Sequence, residues 1–219
     1  MNRIQQVLAV TAFALGGAAH ASVVLFETAS SGAGAQNSAA AYRDVVNAAF
    51  ATPGSHAATV AQFDGLSSQA LFGGSTQNIA FRSTIDFGVN ASQAGLWSLR
   101  AGVDFGNGGA VFLDGVALGY KSNDMWWSGS YGNTAGTFDF SSLAIGSGNH
   151  ELQLFGLENC CDGGQQAQFS VKGASFVTFG ANDGLSAALP EPGSWALLIT
   201  ALTAATGATL RRKRTGNAA

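Results

Sequence analysis

Apolar side chains alternate with polar ones through the middle of the chain. Ile79, Phe81, Ile85, Phe87 and Val89 fall on every second position, with Ser83 on the same parity, and Trp97, Leu99, Ala101 and Val103 repeat the pattern. A period of two places one face of a strand on a core and the other toward solvent. The run Val111-Phe112-Leu113, then Asp114-Gly115, then Val116-Ala117-Leu118 carries the Asp-Gly signal of a two-residue hairpin turn. His150 to Phe155 and Gln168 to Phe179 supply two or three further strands, and Val23 to Glu27 an earlier one. A flexible Ser/Gly/Ala/Gln segment, Ser30 to Asn37, leads to the one region of helical spacing. There Ser38 is placed to cap a helix whose Tyr42, Val45, Val46, Ala49 and Phe50 share a face, and Pro53-Gly54 stops it. Short strands at this spacing predict a mainly β protein, an antiparallel β-sandwich with one N-terminal helix.

The two ends of the chain follow a different logic. Arg3, the apolar run Val7 to Ala19, and the small-x-small triplet Ala19-His20-Ala21 read as a signal peptide cleaved before Ser22. At the other end Pro190-Glu191-Pro192 precedes an uncharged, mostly apolar run from Gly193 to Leu210, and Arg211, Arg212, Lys213 and Arg214 follow. That run is just long enough to cross a bilayer as a helix, and the basic block would hold the C-terminus in the cytoplasm. This three-part tail resembles the PEP-CTERM sorting signal of Gram-negative bacteria. The resemblance implies export through the Sec translocon and signal peptidase, and transient anchoring of the tail in the inner membrane. It also implies processing near the triplet by an exosortase, and a final place at the cell surface or in the extracellular matrix. The expected division is therefore 1–21 signal peptide, 22–188 β-sandwich domain, and 189–219 sorting signal.

Removing the ends changes the charge. The 219-residue chain has a formal net charge of −3, whereas the body keeps five basic residues against twelve acidic ones, a net of −7. An acidic body without a Lys/Arg cluster excludes nucleic acid as a partner, because phosphates require a positive footprint. Gly, Ser, Asn, Gln and Thr make up most of the remaining polar positions, a composition common in exported proteins that live among polysaccharides.

Two segments of the body, Gly95 to Leu118 and Gly148 to Val171, resemble the PA14-like β-sandwich module and the related fibro-slime type. In that module a strand ends in an acidic residue, an apolar strand runs into an Asp-Gly turn, and a later strand enters a Glu-containing loop. The resemblance implies a jelly-roll type of sandwich. Sugar-binding members carry two adjacent aspartates that hold calcium; here Asp104 is followed by Phe105. The string Cys160-Cys161-Asp162-Gly163 resembles a subgroup of PEP-CTERM proteins with a CCxG motif, and that resemblance supplies no activity.

Chemistry has few places to reside. Cys160 and Cys161 are the only cysteines. Their Cα atoms lie about 3.8 Å apart across a trans peptide, so a bond between them closes a small ring and stiffens the loop into a tight turn. Disulfides to another chain, metal binding and a redox pair are the alternatives. Asp104 and Asp114 bracket the Asn/Gly loop before the hairpin, and Glu158 and Asp162 flank the cysteines. Oxygen ligands from turns suit calcium, so these four carboxylates form a calcium site if the two loops meet; otherwise they are ordinary turn residues. Trp126 and Trp127, with Tyr120 and Tyr131 nearby, offer either stacking surfaces for sugar rings or a lid on one edge of the sandwich. No G-x-S-x-G and no H-E-x-x-H motif is present. Only His56 and His150 remain beyond the signal peptide. The expected function is a non-catalytic surface or matrix protein associated with extracellular polysaccharide. A polysaccharide hydrolase and a purely structural biofilm-matrix component are the competing readings.

Overall fold

The computed structural model describes residues 22–186. The signal-peptide residues Ala19 and Ala21, the Pro190-Glu191-Pro192 triplet, the apolar run and the basic block lie outside them. Among the described residues no helix is long and apolar enough to cross a membrane.

Two antiparallel sheets face each other across one core. The larger has six strands in the order β2 (His56–Val60), β1 (Val23–Ser30), β3 (Ile79–Val89), β10 (Gly148–Glu158), β6 (Gly109–Leu113) and β7 (Val116–Lys121). The smaller runs β12 (Val177–Thr178), β11 (Gln166–Val171), β4 (Gly95–Gly102) and β9 (Thr137–Ile145). A ribbon of two short strands, β5 (Asp104–Phe105) and β8 (Met125–Trp126), closes one end. The alternation read from the sequence meets in the core as expected. Phe87 of β3 packs on Trp97 of β4 at 5.7 Å, and Trp97 stacks on Phe169 of β11 at 5.3 Å between ring centroids. Ser83, on the parity of the apolar set, is buried with it.

The outer face of the large sheet is covered as well. Helix α1 (Ala39–Phe50) begins at Ser38, whose hydroxyl accepts the Ala41 N–H at 3.1 Å. Its Tyr42 and Val46 pack on Ala80, Ala110, Phe112, Phe155 and Leu157, the residues of β3, β6 and β10 that point away from the main core. β3 is therefore buried on both faces for much of its length, more than simple alternation predicts. The helix is also pinned electrostatically. Arg82 lies across from Glu27 in the β1–β3 register, donates to both carboxylate oxygens at 2.6 and 2.8 Å, and stacks on Phe50.

The predicted hairpin is present in the predicted form. Leu113 pairs with Val116, and Asp114 and Gly115 both adopt positive φ, 51° and 75°, the pattern of a type I′ turn. Among the described residues, β2, the ribbon strands β5 and β8, the short helix α2 (Ser68–Phe72), and β9, whose pairing with β4 shifts register between Trp97 and Leu99, carried no clear pattern in the sequence.

Candidate functional site

The ribbon end of the sandwich carries the candidate site. β4 runs through Gly102 and Val103 into β5, and Asp104 pairs directly with Trp126 of β8. Directly opposed residues in an antiparallel pair share a face with Cβ atoms about 5 Å apart. Trp126 and Asp104 therefore stand side by side.

The two tryptophans have separate roles. Trp126 is 62% exposed, whereas Trp127 is 8% exposed, because neighbours along extended backbone point to opposite sides. The Trp127 indole N–H donates to the Gly164 carbonyl at 2.6 Å, and its ring lies against the backbone of Gly102, where a Cβ would overlap it. Trp127 thus welds the ribbon to the loop after β10, and Trp126 offers the larger exposed face. Of the pair expected to stack on sugar, both line the same cleft, Trp126 mostly exposed and Trp127 mostly buried.

A cleft of about 570 Å³ opens beside them. Trp126, Trp127, Tyr131, Asp64, Asp104 and Gln166 are among the side chains that line it, and Gly163, Gly164 and Gly65 bring backbone to its wall. Asp64 accepts from the Gln166 amide at 2.6 Å. Sequence reasoning missed both residues. Asp64-Gly65 reads only as a turn, and β11 gives no hint that Gln166 faces a groove.

Three of the four carboxylates predicted to meet do share this end. Asp104 is nearly buried, and its pKa is pushed up to about 7 by burial first, then by the negative charges of Glu158, Asp124 and Asp162, against a bond from the Gly163 N–H. Burial also raises Glu158 and Asp162, opposed in each case by backbone N–H donors. Those donors define what the two groups do. Glu158 accepts from Gly106 N–H and Cys160 N–H, one per oxygen, both at 2.7 Å. Asp162 accepts the Gln69 N–H of α2 at 2.7 Å with one oxygen, and its other oxygen is buried without a partner.

Asp114 is elsewhere. It accepts the Glu151 N–H at 2.9 Å and bonds His150 at 2.8 Å. Glu151 and Glu158 are seven residues apart on β10, about 23 Å at the rise of a strand, so Asp114 sits at the far end of the sandwich. Among the described residues no three His, Cys, Asp or Glu side chains are arranged to hold a metal ion. The four carboxylates therefore do not meet as one set, since Asp114 is remote from the other three.

Cys160 and Cys161 are joined to each other, with Cα atoms 3.7 Å apart and Cys161 at φ 82°. The turn is fixed from outside, because the Cys161 and Asp162 N–H groups both donate to the Thr76 carbonyl. It holds the strand end bearing Glu158 and the Gly163-Gly164 wall of the cleft in one rigid loop.

Solved structures include folds similar to this one. The chain resembles the PA14 domain of the MpAFP antifreeze protein at 11% identity and a TM-score of 0.45, covering 75% of this chain and 89% of that one. It resembles the PA14 sugar-binding domain of an RTX adhesin at 14% identity and a TM-score of 0.46, covering 78% and 100%. A third likeness is to the A domain of subtype-switched epithelial adhesin 9 from Candida glabrata, solved with β-lactose, at 9% identity and a TM-score of 0.46, covering 78% and 91%. No protein-family model and no curated protein matches the sequence.

Proposed function

We propose that this chain is an exported, exosortase-processed protein of the cell surface or extracellular matrix whose sandwich binds glycan without transforming it. The observation that carries the binding role is the open cleft in which the exposed Trp126 face stands beside Tyr131, Asp64, Asp104 and Gln166. Sugar rings offer an apolar C–H face and a rim of hydroxyls. An aromatic wall takes the face, and carboxylate and amide oxygens take the hydroxyls. The committed oxygens of Glu158 and the packed ring of Trp127 support a rigid scaffold around that wall.

The export route rests on the sequence ends. Mass spectrometry of protein from the secreted or outer-surface fraction should find Ser22 as the first residue and no basic C-terminus. A stable full-length product would remove the sorting part of the reading.

One observation favours the hydrolase alternative. Asp104, held near pKa 7 in a cleft, has the protonation a general acid needs in glycoside hydrolysis. Of the carboxylates near it, Glu158 accepts backbone N–H groups through both oxygens, and Asp64 accepts the Gln166 amide through one. A glycan array read alongside release of reducing sugar separates the readings. Binding without release is the expected result, release abolished by Asp104→Asn would establish the hydrolase, and neither binding nor release would leave a structural matrix component.

A further inference from the structure

We infer that the cleft selects an amino-sugar glycan with free, protonated amines over neutral or acidic glycans; this rests on the glycan reading of the same cleft. The lining contributes Asp64 and Asp104 and no Lys, Arg or His. Glu158, Asp162 and Asp124 lie close enough behind Asp104 to act on it as like charges. These acidic groups, as far as they are ionised, set the sign of the field, and low-dielectric walls concentrate it on whatever enters.

The neighbouring cations keep their charge but stand outside the cleft lining and leave the carboxylates without an ion-pair partner. Arg100 is bonded to Gln168 and stacked between Tyr131 and Phe176 at 3.8 and 3.7 Å. The Lys121 ammonium donates to the Thr134 carbonyl in the adjoining hollow.

The ribbon register gives the selection a geometry. Trp126 and Asp104 are direct cross-strand partners, with Cβ atoms about 5 Å apart on one face. A pyranose stacked on the Trp126 indole therefore carries its ring substituents over the Asp104 carboxylate. An ammonium there favours the ionised form of Asp104, whose carboxyl is otherwise pushed up to about 7, and so gains a charge partner and the indole π face together. An acetamide at the same position gains neither, and a carboxylate is repelled.

Calorimetric titration of the full chain against three hexasaccharides tests this. The probes are β-1,4-linked glucosamine, its fully N-acetylated counterpart, and an oligogalacturonate. The glucosamine hexamer should bind about tenfold more tightly than the acetylated one at low ionic strength. The ratio should shrink as salt screens the partly exposed charges, with the galacturonate weakest. Asp104→Asn should narrow the ratio several-fold. Asp64→Asn, at an exposed carboxylate, should also narrow it and guards against a folding defect in the first variant. Equal affinity for the amine and acetamide hexamers overturns the charge selection and leaves the glycan reading standing. Binding of hexalysine as tight as that of hexaglucosamine also overturns it, as attraction of any cation. Failure of all three sugars to bind overturns the glycan reading and this inference with it.

Discussion

Asp104→Asn should stabilise the protein above neutral pH and leave it unchanged in acid. The wild-type carboxyl is pushed up to about 7 by burial and by Glu158, Asp124 and Asp162, whereas in an unfolded chain it ionises near 3.9. The folded state therefore holds this proton more tightly than the unfolded state does. Stability from this group is fully present below about pH 4 and is lost progressively as pH rises to 7. Three units correspond to about 4 kcal/mol at most, and relaxation around the charge brings the expected loss to about 2–4 kcal/mol. Asparagine keeps the shape and an oxygen for the Gly163 N–H but cannot ionise, so it escapes the loss. Its thermal midpoint at pH 8 should exceed the wild type's by roughly 5–15 °C, and the two should agree at pH 4. Calorimetric or fluorescence melts at both pH values measure this. A variant no more stable than wild type at pH 8, or a wild-type midpoint that does not fall between pH 4 and pH 7, would refute the reasoning.

Trp127→Ala should cost about 3–5 kcal/mol in denaturant titration, since it empties a packed site and leaves the Gly164 carbonyl without its donor. Trp126→Ala, at an exposed ring, should change stability by less than about 0.5 kcal/mol while removing glycan binding. Millimolar calcium or a chelator should leave the thermal midpoint in place, because among the described residues no three acidic, His or Cys side chains are arranged to hold a metal ion; a rise of several degrees, abolished by Glu158→Gln, would restore the calcium expectation. Non-reducing peptide mapping should recover Cys160 and Cys161 in one peptide two hydrogens lighter than its reduced form; a disulfide-linked dimer would contradict the pairing.

Much of the scaffold was legible because it depends on local chemistry. Ser38 caps where a cap was expected, Asp114-Gly115 turns as its dipeptide requires, and the parity that runs through Ser83 is the parity of the core. The site was less legible because long-range contacts build it. β5 and β8 have two residues each, too few for any periodicity, yet their register sets Trp126 beside Asp104. Asp64 arrives from a loop tied to β11 through the bridge between Leu66 and Gln165, a partnership no local pattern announces. The separation of Asp104 from Asp114, by contrast, was present in the sequence. The apolar strand Gly109–Leu113 runs between them, and residues at opposite ends of one strand cannot share a metal. The adjacent tryptophans posed a subtler problem, because extended backbone had to be recognised before one could be placed inward and the other outward.

Whether ligand enters the cleft between Trp126 and Asp104 is read from backbone and indole amide shifts during titration with an amine-bearing oligosaccharide. The largest changes should fall on the Trp126 indole and on the amides of Asp104, Gly163 and Gly164, with the Asp114–Gly115 turn at the far end unmoved. Saturable shifts centred on that turn, or no saturable shifts at all, would contradict it.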